Sequence, residues 1–341
     1  MKKSTNIIKI SHDTLFETLL QLFAKYGCSD EKSKLLAETY TESTLVGVNS
    51  HGVNRVPAFI EYIEKGLVKI EKEAQIISSF GTIERWDGNF GPGIINATKC
   101  TERAITLAKK HGIGIVALKN TNHWMRGGTY AHQAANQGCI SILFTNTIPN
   151  MPPWGGKDSR IGNNPFVVSI PRKEGHVVLD MAISQFAFGK INDYRLRGEQ
   201  LPYYGGWDQN DELSKDPEKI LVKQRGLPIG YWKGSALAMV LDMLATVLSA
   251  GDSSYKISQR ESETGISQIY LCMYPEIFGD SQYQEKLLNE IIDYTHDVEP
   301  IKPGERTYYP GERSAATRVK NLKEGIPVSV SVWEKILHLK S

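Results

Sequence analysis

The chain has 341 residues, 40% hydrophobic and 23% charged, with 40 Lys and Arg against 38 Asp and Glu for a formal net charge of +2. That length allows two compact domains or one large one with a sizeable core, and the ordinary composition excludes a disordered or fibrous chain. Charges of both signs are interspersed, so there is no basic block to bind nucleic acid, and no repeat or low-complexity tract is present.

In chain order, residues 13–26 carry Leu15, Leu19, Leu22, Phe23 and Tyr26 on one helical face, and 30–45 repeat the pattern with Leu35, Leu36 and Tyr40. After the junction NSHGVNR, Pro57 suits an early helix turn and Gly66 a left-handed stop. Residues 75–86 predict two short strands. A helix over 96–110 then precedes the strand GIGIVAL, the loop NTNHWMRGG, the short helix AHQAANQ and the strand CISILFT. Further strands are predicted at 166–170, 176–182 and 265–274, and helices at 235–250 and 282–296. The Gly-, Pro- and Asp-rich stretch 198–230 predicts a long loop. The class is α/β.

The apolar segment around 236–250 is interrupted by Asp242 and reads as a buried helix rather than a membrane span. The opening MKKSTNIIKI lacks the apolar centre of a signal peptide, and Cys28, Cys100, Cys139 and Cys272 form no C-x-x-C pair, so a reducing cytoplasm is expected.

Gly112, Gly114 and Ala117 mimic a dinucleotide fingerprint in the wrong context. They end a helix and begin a strand, whereas the fingerprint must follow a strand and open a helix. GYWKGS lacks the glycine spacing of a P-loop.

Four stretches could carry chemistry. In SHGVNR, a helix starting near Ser50 would set His51 and Arg55 one turn apart, joining a group that transfers protons near neutrality to a carboxylate clamp. The alternative is a capped helix with two solvated side chains. In TNHWMRGG, His123 and Arg126 lie in a loop, with Trp124 as pocket wall or core. MPPWGGKDSRIGNNP allows close backbone approach to a ligand, or is an elaborate surface loop. In GYWKGSALAM, Lys233 and Ser235 stand at a helix start that could hold a phosphate, or Ser235 is simply its N-cap. No H-E-x-x-H motif or Cys/His cluster is present, so no metal is expected.

Together SHGVNR, NHW, RIGNNP, LDMAISQFAFGK and YWKGS, in this order, resemble the malate/L-lactate dehydrogenase family of NAD(P)-dependent oxidoreductases, and the likeness runs nearly end to end. It implies a non-Rossmann NAD(P)-binding fold, with a mixed sheet, helical N- and C-terminal parts, and a homodimer. The implied division is a helical substrate and dimerisation part over 1–120 plus 263–341 and a cofactor-binding domain over 121–262. By the same resemblance His51 is the proton donor, and Ser50, Arg55 and His123 face substrate. The cofactor segments are His176, Val177, Val178, Leu179, Asp180, Met181 and Ala182, then Trp232 and Lys233, then Gly311, Glu312 and Arg313.

The tail departs from the family pattern: Pro310-Gly311-Glu312-Arg313 stands where PGH and an acid are expected. NADH is the implied cofactor, and an arginine there leaves NADPH open. The implied partner is a small 2-oxo or 2,3-dioxo acid, with no nucleic acid and no membrane. Relatives acting on lactate, malate, sulfolactate, ureidoglycolate or a cyclic imino acid would share this scaffold. A non-catalytic nucleotide-binding protein would too.

Overall fold

The computed structural model describes residues 7–341; residues 1–6, the front of the segment read above for a leader, lie outside the described residues. Strand β1 (Ile7–Ile10) leads into helices α1 (His12–Lys25) and α2 (Asp30–Leu45). Ser11 and Ser29 start the two helices, their hydroxyls accepting the N–H groups of Thr14 and Lys32. Leu15, Leu19, Leu22 and Phe23 of α1 are buried with Leu36 and Tyr40 of α2, as the apolar stripes predict. Helix α3 (Val56–Glu64) adds Phe59, whose ring packs 5.8 and 5.9 Å from those of Phe23 and Tyr40. Gly66 follows at φ +67°, the left-handed stop its position predicts.

The helix expected from Ser50 does not form. Two 3₁₀ turns, Asn49–His51 and Val53–Arg55, occupy the junction and break at Gly52. The cause is tertiary. Gly52 lies against Thr44 of α2, whose hydroxyl donates to Tyr40 O (2.6 Å) and accepts the N–H of Val53 (2.9 Å). A Cβ at position 52 would overlap Thr44 Oγ1 and stand 2.8 Å from the Thr44 backbone nitrogen. Gly52→Ala is therefore expected to destabilise the fold by about 1–3 kcal/mol and to lower turnover, because the displaced segment carries His51. A thermal melt and a rate assay on the variant check both effects.

The chain continues through β2 (Gln75–Phe80), β3 (Ile83–Asp87), α4 (Gly93–His111), β4 (Ile113–Thr121), α5 (Gly127–Asn136), β5 (Ile140–Thr145), β6 (Phe166–Ile170) and β7 (Val177–Met181). Gly112, at φ +88°, closes α4 as a C-cap, the structural alternative to a phosphate loop. After α6 (Phe188–Arg197), the stretch expected as one long loop holds a short pair, β8 (Gly206–Trp207) and β9 (Leu213–Ser214), and helix α7 (Pro217–Lys223). It is ordered because Ile191, Leu201 and Ile220 bury a small core of their own.

Helix α8 (Trp232–Ser249) and the short α9 (Ser254–Ile257) precede β10 (Ile266–Met273), which enters the middle of the main sheet. The strand order is β2-β3-β4-β10-β5-β6-β7, with β3–β4 parallel and the other pairs antiparallel, a mixed sheet. Helices α4 and α5 pack on one face, burying Ala104, Ala108, Tyr130 and Ala134. Helix α8 packs with Ala238, Leu241 and Ala245 against sheet residues that include Ala117, Phe144 and Ile269.

Helix α8 is thus half-buried rather than fully so. By length and composition it is the one helix among the described residues apolar enough to cross a membrane, yet only 33% of it is buried. Asp242, which interrupts its apolar run, accepts hydrogen bonds from Ser254 N and Asn146 Nδ2, both 2.9 Å. The outer face exposes Met239, Val240, Met243, Leu244, Val247 and Leu248.

The chain closes with α10 (Ser281–His296), α11 (Glu312–Glu324), β11 (Ile326–Ser329) and α12 (Val330–Lys340). β11 pairs antiparallel with β1, Ile10 opposite Ile326, and Ile336 of α12 is buried in the N-terminal core. Both ends of the described chain therefore build one helical layer. Arg318 to Glu42 (2.8 Å) and Asn321 Nδ2 to Leu45 O (2.8 Å) hold α11 against α2, just before the His51 junction.

Candidate active site

Where the helical layer meets the sheet, a cleft of about 370 Å³ opens between the junction after α2, the start of α5, strand β7 and the turn before α11. Ser50, His51, His123, Met125, Arg126, Thr147, Asn163, Val178, Leu179, Asp180, Ala182 and Gly311 line it. Its size suits a small ligand or part of a cofactor. A groove of about 680 Å³ between α4 and α5 is larger, but its titratable side chains are Glu102, Lys109 and Lys110, and no imidazole enters it.

The two imidazoles come from distant parts of the chain and lie 5.7 Å apart, centroid to centroid, with planes inclined by 27°. His51 Nδ1 is 3.1 Å from Ser50 Oγ, which leaves Nε2 as the nitrogen available to a ligand. Ser50 is in turn pressed by α6, since a Cβ at Gly189 would stand 2.5 Å from the Ser50 Cβ. His123 Nδ1 accepts the N–H of Met125 at 2.9 Å, so the neutral ring carries its proton on Nε2 and presents a donor. The backbone here is constrained. Asn120 and Met125 have φ +52° and +65°, and Gly93 at the start of α4 lies so close to the carbonyls of Asn122 and His123 that no side chain would fit.

Burial pushes the His51 pKa down to about 4; the charge of Asp180 opposes this, and those of Arg55 and Arg126 add to it. His123 is driven well below its ordinary value by burial, then by Arg55 and His51. His132, on α5, is pushed down to about 4, first by burial and then by Arg126. All three rings are neutral at pH 7.

A histidine whose folded pKa lies below the unfolded 6.5 binds its proton more readily in the unfolded chain. The stability these rings provide is complete above about pH 6.5 and falls as the pH drops toward 4. Thermal melts between pH 7 and 4 are expected to show a steady loss on the order of a few kcal/mol, and the loss should shrink in a His132→Asn variant.

Arg126 and Asp180 form the wall beside His51. Asp180 Oδ2 accepts the N–H of Gly128 (2.8 Å) in the first turn of α5, a favourable place for a negative charge. Arg126 Nε is 4.0 Å from the same oxygen. Gly127 and Gly128 leave room for the pair, because a Cβ at 128 would come 3.0 Å from Asp180 Oδ2 and 3.1 Å from Arg126 Nη2.

Among the residues singled out in the sequence, Ser50, His51, His123, Val178, Leu179, Asp180, Ala182 and Gly311 meet in this cleft. Arg55 is not part of its wall and is not one helical turn from His51. It is exposed at the adjoining turn and its guanidinium makes no hydrogen bond or ion pair among the described residues, yet its charge reaches both imidazoles. His176 is held by Arg172 N and Asn136, Val177 pairs with Ile170, and Met181 packs against the core under α8.

Trp232 and Lys233 are exposed at the first turn of α8, outside the cleft. Ser235 is not the N-cap of that helix; it lies inside the first turn and its hydroxyl accepts the Trp154 N–H at 2.8 Å. Glu312 braces the tail through Arg306 (2.8 Å) and His296 (3.2 Å), and Arg313 stacks on the Tyr308 ring at 4.4 Å.

Thr147 and Glu263 carried no recognisable signal in the sequence. Thr147 lines the cleft and is held by Asn164 Oδ1, which accepts its N–H at 2.9 Å. Asn164 also donates to Ala238 O of α8 (2.7 Å), so the NNP stretch fastens this wall to the helix below it. Glu263 accepts the Ile148 N–H at 2.9 Å; burial raises its pKa, while that hydrogen bond and the Arg55 charge lower it.

The malate/L-lactate dehydrogenase family profile matches residues 10–337. Curated 2,3-diketo-L-gulonate reductases of Klebsiella pneumoniae (strain 342) and Escherichia coli (strain K12) are 42% identical to this chain over 330 residues, covering 96% of it and 99% of theirs. The solved malate dehydrogenase of Pyrococcus horikoshii OT3 superposes with a TM-score of 0.90 at 27% identity, over 98% of this chain and 95% of that one. A putative malate/lactate dehydrogenase from E. coli gives 0.92 at 28%, over 98% and 94%. With its mixed sheet, its cleft and a likeness that spans nearly the whole length, the chain belongs to the malate/L-lactate dehydrogenase family and is an oxidoreductase.

Proposed function

We propose that this enzyme uses NADH to reduce a 2,3-dioxo sugar acid, 2,3-diketo-L-gulonate, to 3-keto-L-gulonate. The observation that carries the reading is the meeting of His51 and His123 in one cleft with β7 and Gly311, in a chain 42% identical to reductases of that name. Family membership implies a nicotinamide cofactor, and the cleft suits one. Val178 N–H donates to Pro310 O (2.9 Å), and Gly311, at φ +99°, lies so near β7 that a Cβ would come 3.2 Å from Val178 N. The turn is thus fastened against β7 at the edge of the cleft. Val178, Leu179, Asp180, Ala182 and Gly311 would hold the cofactor there. When bound, it supplies the hydride.

The rest of the chemistry belongs to side chains. Arg55 takes the substrate carboxylate through two parallel hydrogen bonds. His123 donates from Nε2 to an oxygen next to the reacting carbon. His51 delivers a proton from Nε2 to the oxygen that becomes a hydroxyl, while the charge of Asp180 favours its protonated state. A carboxylate on Arg55 offsets one of the two positive charges that disfavour protonation of His51, so substrate binding itself readies the acid.

We assign the helical layer to the proton donor and clamp and residues 121–262 to most of the cofactor flank, with the shared sheet running through both. The outer face of α8, from Met239 to Leu248, is the surface we assign to a homodimer contact, since an apolar face of this extent favours a covering partner. Four buried, unpaired cysteines accord with a reducing cytoplasm. We assign NADH as the cofactor, with the NADPH arm of the assay below as its test.

The test follows reduced-nicotinamide absorbance with 2,3-diketo-L-gulonate, pyruvate and oxaloacetate, each with NADH and NADPH. NADH oxidation fastest with the diketo acid is the expected result. Binding of NADH without oxidation by any oxo acid would make the chain a nucleotide-binding protein instead.

A further inference from the structure

Arg126 has a chemical demand that the reaction above does not use. It is 6% exposed, it lines the cleft, and its guanidinium makes no hydrogen bond to any described residue. Asp180 at 4.0 Å balances its charge but is too distant to accept from it. The N–H donors of Arg126 therefore face the open cleft rather than a protein acceptor, where an entering ligand meets them.

The neighbourhood limits what can satisfy them. Beside the donor stands a carboxylate that accepts, and its opposite charge weakens the pull of Arg126 on an added anion. A neutral group bearing adjacent hydroxyls satisfies both: one oxygen accepts from the guanidinium and a neighbouring hydroxyl donates to the carboxylate. Both side chains line the cleft together with His51.

We infer that Arg126, backed by Asp180, binds vicinal hydroxyl groups of a ligand in this cleft; where these belong to the substrate, the contact selects a polyhydroxylated oxo acid over one with a plain alkyl chain. The inference rests on the functional reading above. The same chemistry has two sources, the hydroxylated tail of the substrate or a ribose of the cofactor, and one set of measurements separates them.

The variants are Arg126→Met and Arg126→Lys, measured for kcat and KM with 2,3-diketo-L-gulonate and with 2-oxobutanoate, for NADH affinity by fluorescence titration, and for melting temperature. A lost hydrogen bond to a charged donor corresponds to about 10- to 100-fold. If the substrate tail is the ligand, the ratio of kcat/KM between the two acids falls by that factor in Arg126→Met, mainly through KM, with partial recovery in Arg126→Lys. If a cofactor ribose is the ligand, NADH affinity falls instead and the ratio holds.

Equal losses with both acids at unchanged NADH affinity, accompanied by a lower melting temperature, would overturn the inference and leave Arg126 a structural residue. Should Arg126→Met not fold, Arg126→Lys alone decides on the same ratio and affinity. Wild-type protein that binds no NADH would overturn the functional reading and this inference with it, whereas wild-type binding with both variants unchanged in ratio and affinity overturns this inference only.

Discussion

His51→Ala is expected to lower turnover by about 100- to 10,000-fold, the range for loss of a positioned proton donor, while NADH binds almost as tightly as before. The separation follows from the geometry. His51 stands on the junction after α2, whereas the proposed cofactor flank is β7 and the Pro310–Gly311 turn, which are pinned to each other by the Val178–Pro310 hydrogen bond. Removing the imidazole takes away a proton and leaves that flank in place. Steady-state kcat alongside an NADH fluorescence titration reads both quantities. Turnover that survives the substitution would remove His51 from the proposed role. Reduction consumes a proton, so the wild-type rate in that direction declines as the pH rises through the pKa of His51 in the complex, and that limb should vanish in the variant.

The second large effect is expected at Arg55. Arg55→Met removes both hydrogen bonds to the substrate carboxylate, worth about 1.5–3 kcal/mol for a charged partner, so kcat/KM should fall by about 10- to 150-fold. Arg55→Lys keeps the charge but loses the planar fork and should lie between the two. The substitution to Met has a second signature that a general loss of packing would not produce. Arg55 is one of the positive charges that depress His51, so its removal raises the His51 pKa, and the pH limb of the residual activity should move upward. An unmoved limb with an unchanged KM would mean that Arg55 contacts neither the ligand nor the acid.

Much of this arrangement was legible in the residues, for identifiable reasons. The stripes Leu15–Leu19–Leu22 and Leu35–Leu36–Tyr40 follow the helical repeat, and Gly66 and Gly112 stop helices where a left-handed residue is needed. These are local rules. The SHGVNR junction was misread because a tertiary contact decides it: Gly52 seats against Thr44, which breaks the helix that local spacing favours and separates His51 from Arg55.

Helix α8 was misread in a related way. Its apolar residues surround the axis, so periodicity identifies a helix but not which side the sheet covers. Order in 198–230 comes from three apolar residues spread over thirty positions, too sparse to register as a pattern. Thr147 and Glu263 carry no local pattern: Thr147 is held in the cleft wall by Asn164, which comes beside it as β5 and β6 pair, and Glu263 meets the Ile148 N–H as β5 and β10 pair. His51 and His123 are legible because each stands near an arginine in a short polar stretch, and because SHGVNR and NHW carry the resemblance to the family.

The central claim is that an oxo acid laid against a nicotinamide in one cleft meets the His51 and His123 rings, with the Arg55 guanidinium reaching its carboxylate from the adjoining turn. A crystal structure of the enzyme with NADH and oxamate, an unreactive oxo-acid mimic, tests it most directly. The account predicts the oxamate carboxylate on Arg55, its neighbouring oxygen within hydrogen-bond reach of Nε2 of both His51 and His123, and the nicotinamide along β7 and Gly311. Oxamate or NADH bound away from this cleft, or both imidazoles turned from the ligand, would contradict it.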